Sequence, residues 1–157
     1  MKFFDNLEEY CILVLFPIMV VVVLVSTFAR YTQLFQVFWG EEVARYIMVY
    51  LGYLGIALAM KRRAHIGVSA LTDMVKSKGG KRFVLALQAV IILAFCGIIS
   101  AFLLTIIYKQ FGIGQTSPAL ELPIWVPYGA VPLGMILLAI RTCQIYWANW
   151  RKLDEEA

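Results

Sequence analysis

Histidine is nearly absent from this chain: His65 is the single one in 157 residues. Haem-binding membrane bundles take paired axial ligands, so one histidine excludes that class. Zinc chemistry needs clustered His, Cys or carboxylates, and no such spacing occurs. Cysteine is equally sparse. Cys11, Cys96 and Cys143 are odd in number and far apart. They form no disulfide framework and no paired-thiol redox motif, and they read as apolar packing residues. Charge is also scarce, at 15% of residues against about 25% in an ordinary globular domain. This inventory carries no catalytic site, no metal site and no cofactor.

What replaces charge is hydrocarbon. The chain is 62% hydrophobic, with a mean hydropathy of +0.80. Uncharged runs cover Tyr10 to Ala29, Tyr46 to Met60, Phe83 to Tyr108 and Leu122 to Ile140. A hydrocarbon core about 30 Å thick takes roughly 20 residues of helix. Lipid offers no partner to the edge of an open strand. The expected fold is therefore an all-α integral membrane protein, one domain over 1–157, with spans near 10–29, 40–60, 83–108 and 122–141. The leader to the first run has Lys2 against Asp5, Glu8 and Glu9, so it lacks the positive start of a signal peptide and the run reads as a retained span.

Orientation follows from the basic residues. Seven of the 14 Lys and Arg lie between spans two and three: Lys61, Arg62, Arg63, Lys76, Lys78, Lys81 and Arg82. Lys2, Arg141, Arg151 and Lys152 fall on the same side, and only Arg30, Arg45 and Lys109 on the other. The positive-inside rule then places both termini and the 61–82 loop in the cytoplasm. A net charge of +4 distributed in this way marks orientation and contact with anionic lipid, not a nucleic-acid site.

Three connecting segments suggest amphipathic elements at the membrane surface. Phe3, Phe4, Leu7 and Cys11 share a helical face, which predicts a short interfacial helix before span one. Aromatic Tyr31, Phe35, Phe38 and Trp39 predict a partly helical outer segment. Ile66, Ala70, Leu71, Met74 and Val75 recur at helical spacing in the basic loop. Pro17 lies within span one, where it removes a backbone bond to Leu13 and favours a kink. The 112–123 stretch is rich in turn residues, and Pro123 suits a first helical turn. No internal repeat is visible, which argues against a self-contained inverted-repeat transporter.

The chemically loaded stretch is Phe38-Trp39-Gly40-Glu41-Glu42-Val43-Ala44-Arg45-Tyr46. Charge at a membrane mouth is costly unless partnered or wet. Glu42 with Arg45 is an i,i+3 pair and Glu41 with Arg45 an i,i+4 pair, worth roughly 0.2–0.5 kcal/mol if they meet on one helix. Alternatively the carboxylates meet Arg30, which ends span one on the same side, or another subunit; direct contact with an ion or substrate is a third reading. Small-residue pairs Gly55 with Ala59, Gly97 with Ala101 and Ala130 with Gly134 permit close helix approach, inside the chain or to a partner. His65 is either an interfacial polar residue or a group titrating near neutral pH.

Trp39 to Tyr46 resembles the tryptophan-then-paired-glutamate pattern of the small membrane subunit of TRAP (tripartite ATP-independent periplasmic) transporters. The resemblance continues through Leu51-Gly52-Tyr53-Leu54-Gly55-Ile56-Ala57-Leu58-Ala59, Arg63-Ala64-His65-Ile66-Gly67-Val68, and Pro118 to Tyr128 before the last span. With the four-span layout it covers most of the chain. One departure is Ser69, where the pattern would place an acid; Asp73 stands one helical turn later.

The resemblance implies a bacterial inner-membrane location and a partnership. A periplasmic binding protein would deliver an organic acid, such as sialic acid or a C4-dicarboxylate, to a large membrane subunit that carries the substrate and sodium sites. The small subunit would be a stator beside that elevator, with no substrate site of its own. Subunit-interface candidates are Arg30, Trp39, Glu41, Glu42, Arg45 and Gly55. Tyr31, Phe35, Gln115 and Glu121 are candidates for docking the binding protein, and His65 and Asp73 mark the cytoplasmic interface. The competing reading is a small autonomous oligomeric ion-coupled transporter, which would need an essential carboxylate at Glu41, Glu42 or Glu121. A membrane enzyme is disfavoured by the residue inventory.

Overall fold

A computed structural model describes residues 7–33, 35, 37–62 and 78–155. Four helices cover most of them: α1 Leu7–Thr32, α2 Gly40–Lys61, α3 Lys78–Ile113 and α4 Trp125–Glu155. All four are long and apolar enough to cross a membrane. Their ends follow the helix dipole. Glu8 and Glu9 open α1 and Arg30 closes it; Glu41 and Glu42 open α2 and Lys61 closes it. Acid at the positive end and base at the negative end each stabilise a helix by about 0.3–1 kcal/mol.

The helices outrun the uncharged runs on which the spans were read. At 1.5 Å per residue, the 36 residues of α3 reach about 54 Å, beyond a ~30 Å hydrocarbon layer. Residues 7–9 belong to one continuous helix with span one. The predicted separate interfacial helix is therefore absent over its described part, and residues 1–6 lie outside the described residues. Pro17 sits inside α1 without ending it. The outer connection after α1 is not helical among its described residues; Gln33 takes a left-handed conformation (φ 54°) and donates its N–H to the Ala29 carbonyl at 3.1 Å. The helix predicted across 66–75 falls outside the described residues.

Pro123 does not start α4. It pairs with Thr116 in an antiparallel bridge, closed by Ser117 N–H to Leu122 O at 2.8 Å and Ile124 N–H to Gln115 O at 3.0 Å. The 115–124 stretch is thus a small hairpin, and α4 begins at Trp125. Gly114 (φ 66°) ends α3, its N–H bonded to Gln110 O at 3.1 Å. This left-handed turn is open to glycine without strain.

Helix packing follows the order α1–α2–α4–α3. Among the described residues, α1 with α3, α1 with α4, and α2 with α3 make no backbone-level contact. The molecule is an open row of helices, not a closed bundle. The α2 and α4 helices run parallel side by side; α1 and α3 flank them antiparallel. The core is built on α4, where Val131, Met135, Leu138 and Tyr146 pack with Met60 of α2 and Leu85 and Cys96 of α3. Of the most apolar 18-residue stretch, 44% is buried in α4 and none in α1. Gly134 permits the tight centre: a Cβ there would stand 2.4 Å from Tyr53 Cβ and 3.1 Å from its backbone.

Candidate functional site

Polar chemistry gathers at the two ends of the row. At the end bearing the 33–39 connection, Gly40 brings α2 against α1; a Cβ there would fall 1.8 Å from the Ser26 hydroxyl. This approach sets Glu41 beside Arg30, and the two form an ion pair. Both side chains are largely exposed, and such a pair in water contributes about 0.2–1 kcal/mol.

Glu42 points the other way. Its Oε2 accepts the N–H groups of Ala119 at 3.0 Å and Leu120 at 3.1 Å. Its Oε1 accepts the hydroxyl of Tyr46, one helical turn on. Ser117, almost fully buried, sits against the same carboxylate. Tyr50, the next turn along, donates its hydroxyl to the Val126 carbonyl at 2.8 Å. One face of α2 therefore staples the 115–124 hairpin and the start of α4. Ionised acceptors make stronger hydrogen bonds than neutral ones, so this carboxylate is a firm anchor.

Neither glutamate pairs with Arg45, for which the structure gives no ion pair among the described residues. Arg45 and Arg30 both line a cleft between α1 and α2. Trp39 is half exposed, and its carbonyl accepts the Val43 N–H at 3.0 Å. Tyr31 is exposed on the last turn of α1 and Phe35 on the connection that follows. Gln115 and Glu121 are exposed on the hairpin at the same end; Glu121 adopts a left-handed conformation (φ 53°). Gly55 faces open space, with nothing within 4 Å of a Cβ built there. Of the small-residue pairs, Ala130 with Gly134 serves packing inside the chain. His65 and Asp73 lie outside the described residues.

The opposite end holds a constellation that sequence reasoning missed. Glu8 of α1 and Arg141 of α4 form a bidentate pair, Nε to Oε1 at 2.8 Å and Nη2 to Oε2 at 2.9 Å. The side chains are 1% and 8% exposed. Arg141 also donates to Gln144 Oε1 at 2.8 Å. Beside it, Arg62 pairs with Glu9. Glu8 and Arg141 had counted in the sequence only as leader and orientation charges. Their one local signal is that each borders an apolar run. Among the described residues no group of three or more His, Cys, Asp or Glu side chains is gathered.

The sequence profile described as "Tripartite ATP-independent periplasmic transporters, DctQ component" matches residues 19–152. The chain belongs to this family. It is a small TRAP membrane subunit, as the tryptophan–glutamate segment led us to expect. It is 33% identical over 109 residues to an isethionate TRAP transporter permease protein, DctMQ, of Oleidesulfovibrio alaskensis, covering 68% of this chain and 16% of that protein. It is 28% identical over 107 residues to a C4-dicarboxylate TRAP transporter small permease protein, DctQ, of Rhodobacter capsulatus, covering 68% and 47%. A sialic acid TRAP transporter permease protein, SiaT, of Haemophilus influenzae is 25% identical over 160 residues, covering 96% and 24%. The chain thus spans less than half the length of each of these relatives.

Proposed function

We propose that this TRAP subunit is the static partner of a large membrane subunit in a sodium-coupled importer of an organic acid, fed by a periplasmic binding protein. The observation that carries this reading is the open row. Among the described residues α1 packs along α2 alone and α3 along α4 alone, with apolar side chains exposed on α1 and α3, a shape suited to widening a scaffold. Its polar groups are used for self-assembly: Glu41 and Glu42 are engaged by Arg30, Tyr46 and the 119–120 amides. An autonomous carrier would need such a carboxylate for ion coupling. The fused relative, named as one DctMQ protein, favours a large subunit as neighbour. Isethionate, C4-dicarboxylate and sialic acid in the relatives' names are all organic acids, which supports that substrate class.

On this reading Arg30, Trp39, Glu41, Arg45 and Gly55 are interface residues. Tyr31, Phe35, Gln115 and Glu121, with the hairpin held by Glu42, form the surface presented to the binding protein in the periplasm.

Reconstitution tests the proposal. The chain alone, the chain with its large subunit, and both with the binding protein are compared for sodium-dependent uptake in liposomes. Uptake is expected from the full set alone; uptake by the isolated chain would refute the stator role. Glu41→Gln is expected to reduce co-purification of the large subunit, and unchanged assembly and uptake would remove Glu41 from the interface.

A further inference from the structure

The two halves of the row differ in length. On α1, Glu9 pairs with Arg62 at one end and Arg30 with Glu41 at the other. About 32 Å of helix separates these pairs, one hydrocarbon core. On α3, the Arg82 guanidinium lies 5.7 Å from the centre of the Trp150 ring at one end. At the other, Phe111 meets Trp125 with ring centroids 6.2 Å apart. About 44 Å of helix separates these contacts.

The difference falls at one end. Glu42, in the first turn of α2, holds the hairpin that leads into α4, so the outer ends stand together. At the opposite end Glu8 sets the start of α1 against Arg141, and α4 runs on for about 13 Å to Trp150. The α3 helix accompanies it. Tyr146 donates its hydroxyl to Gln88 Oε1 at 3.2 Å, and Arg82 reaches Trp150. The α3–α4 pair therefore overhangs α1 and α2.

The overhang has the surface of a membrane-embedded segment. No charge occurs between Arg82 and Lys109, or between Arg141 and Arg151. Phe83, Leu87 and Val90 of α3 and Trp147 of α4 are exposed on it. Trp150 near its tip suits the headgroup region. Helices packed side by side share a tilt, so leaning the row shortens both halves alike and leaves the difference. A short apolar stretch is met by thinning of the bilayer around it.

We propose that the membrane carries a step at this chain. Lipid covers the overhang along α3 and α4 to the level of Trp150, and thins beside α1 and α2 to the level of Glu9 and Arg62. The partner of this surface is the acyl region of the leaflet, and the step does not rest on the role proposed for the chain in transport.

Two thiols placed against the expected order of depth test the step. Leu87 neighbours Gln88, which stands level with Tyr146 and so about 7 Å farther out than Arg141. In a flat bilayer the site farther out meets water first. The full chain, with Cys11, Cys96 and Cys143 changed to serine, is reconstituted at high lipid excess. A membrane-impermeant maleimide admitted to both sides is expected to label Leu7→Cys. It is expected to leave Leu87→Cys unlabelled until denaturation. Labelling of both, of neither, or of Leu87→Cys alone would overturn the step. Protection of Leu87→Cys that fades on dilution in lipid would assign the overhang to a second copy instead. A second measurement needs no added thiol. With Trp39→Phe and Trp125→Phe, the remaining Trp147 and Trp150 are expected to be quenched by brominated lipid more than by iodide in water; the reverse would put the overhang in water and overturn the proposal.

Discussion

Glu8 and Arg141 do at the residue scale what apolar packing does elsewhere. None of the most apolar stretch of α1 is buried in the protein, and lipid tails offer helices no hydrophobic reason to associate. The helix is instead tied at its ends, by Glu8 to Arg141 and Glu9 to Arg62 at one and by Arg30 to Glu41 at the other. The first pair is the one that matters energetically, because it is buried and doubly hydrogen-bonded. Removing one member leaves the other charge uncompensated, at about 3–5 kcal/mol. Arg141→Met is therefore expected to lower the thermal midpoint of the detergent-solubilised chain sharply. Adding Glu8→Gln to Arg141→Met should cost much less than the sum of the single changes, and a double-mutant cycle that came out additive would refute the coupling. Arg62→Gln, at an exposed pair, should shift the midpoint little.

The α2 helix is the element on which the outer end is built. Glu42, Tyr46 and Tyr50 lie at four-residue spacing, so one helical face holds the 115–124 hairpin and the start of α4. Glu42→Ala is expected to speed hydrogen exchange of the Ala119 and Leu120 amides by roughly tenfold, corresponding to ~1.4 kcal/mol, close to the lower bound of about 1.5 kcal/mol for hydrogen bonds to a charged group. Unchanged protection would show that the hairpin holds itself. The same helix meets α4 across Gly134. Gly134→Ala would set a Cβ against the Tyr53 backbone and is expected to destabilise by about 1–3 kcal/mol, read as a lowered thermal midpoint. Gly55→Ala, which meets open space, should leave the isolated chain unaffected. A loss seen only in the assembled transporter would place Gly55 at the partner interface.

At the scale of the whole molecule, the row leaves broad apolar faces for lipid and partner, and gives each end its own chemistry. The start of α1 and the end of α4 lie at one end, which the positive-inside rule predicts to be cytoplasmic. Ala157→Cys, with the native cysteines changed to serine, should react with a membrane-impermeant maleimide in inside-out vesicles and not in right-side-out ones; the reverse pattern would invert the orientation. How much was legible beforehand follows physical range. Four spans were readable from uncharged runs, because lipid requires each segment to satisfy its own backbone and exclude charge, and both demands act locally along the chain. The tryptophan and paired glutamates were readable through their resemblance to a family pattern that is contiguous in sequence. The order α1–α2–α4–α3, the Glu8–Arg141 pair across 133 positions and the turn of Glu42 toward Ala119 were not. Those partners are chosen by which helices stand side by side, and tertiary packing alone decides that.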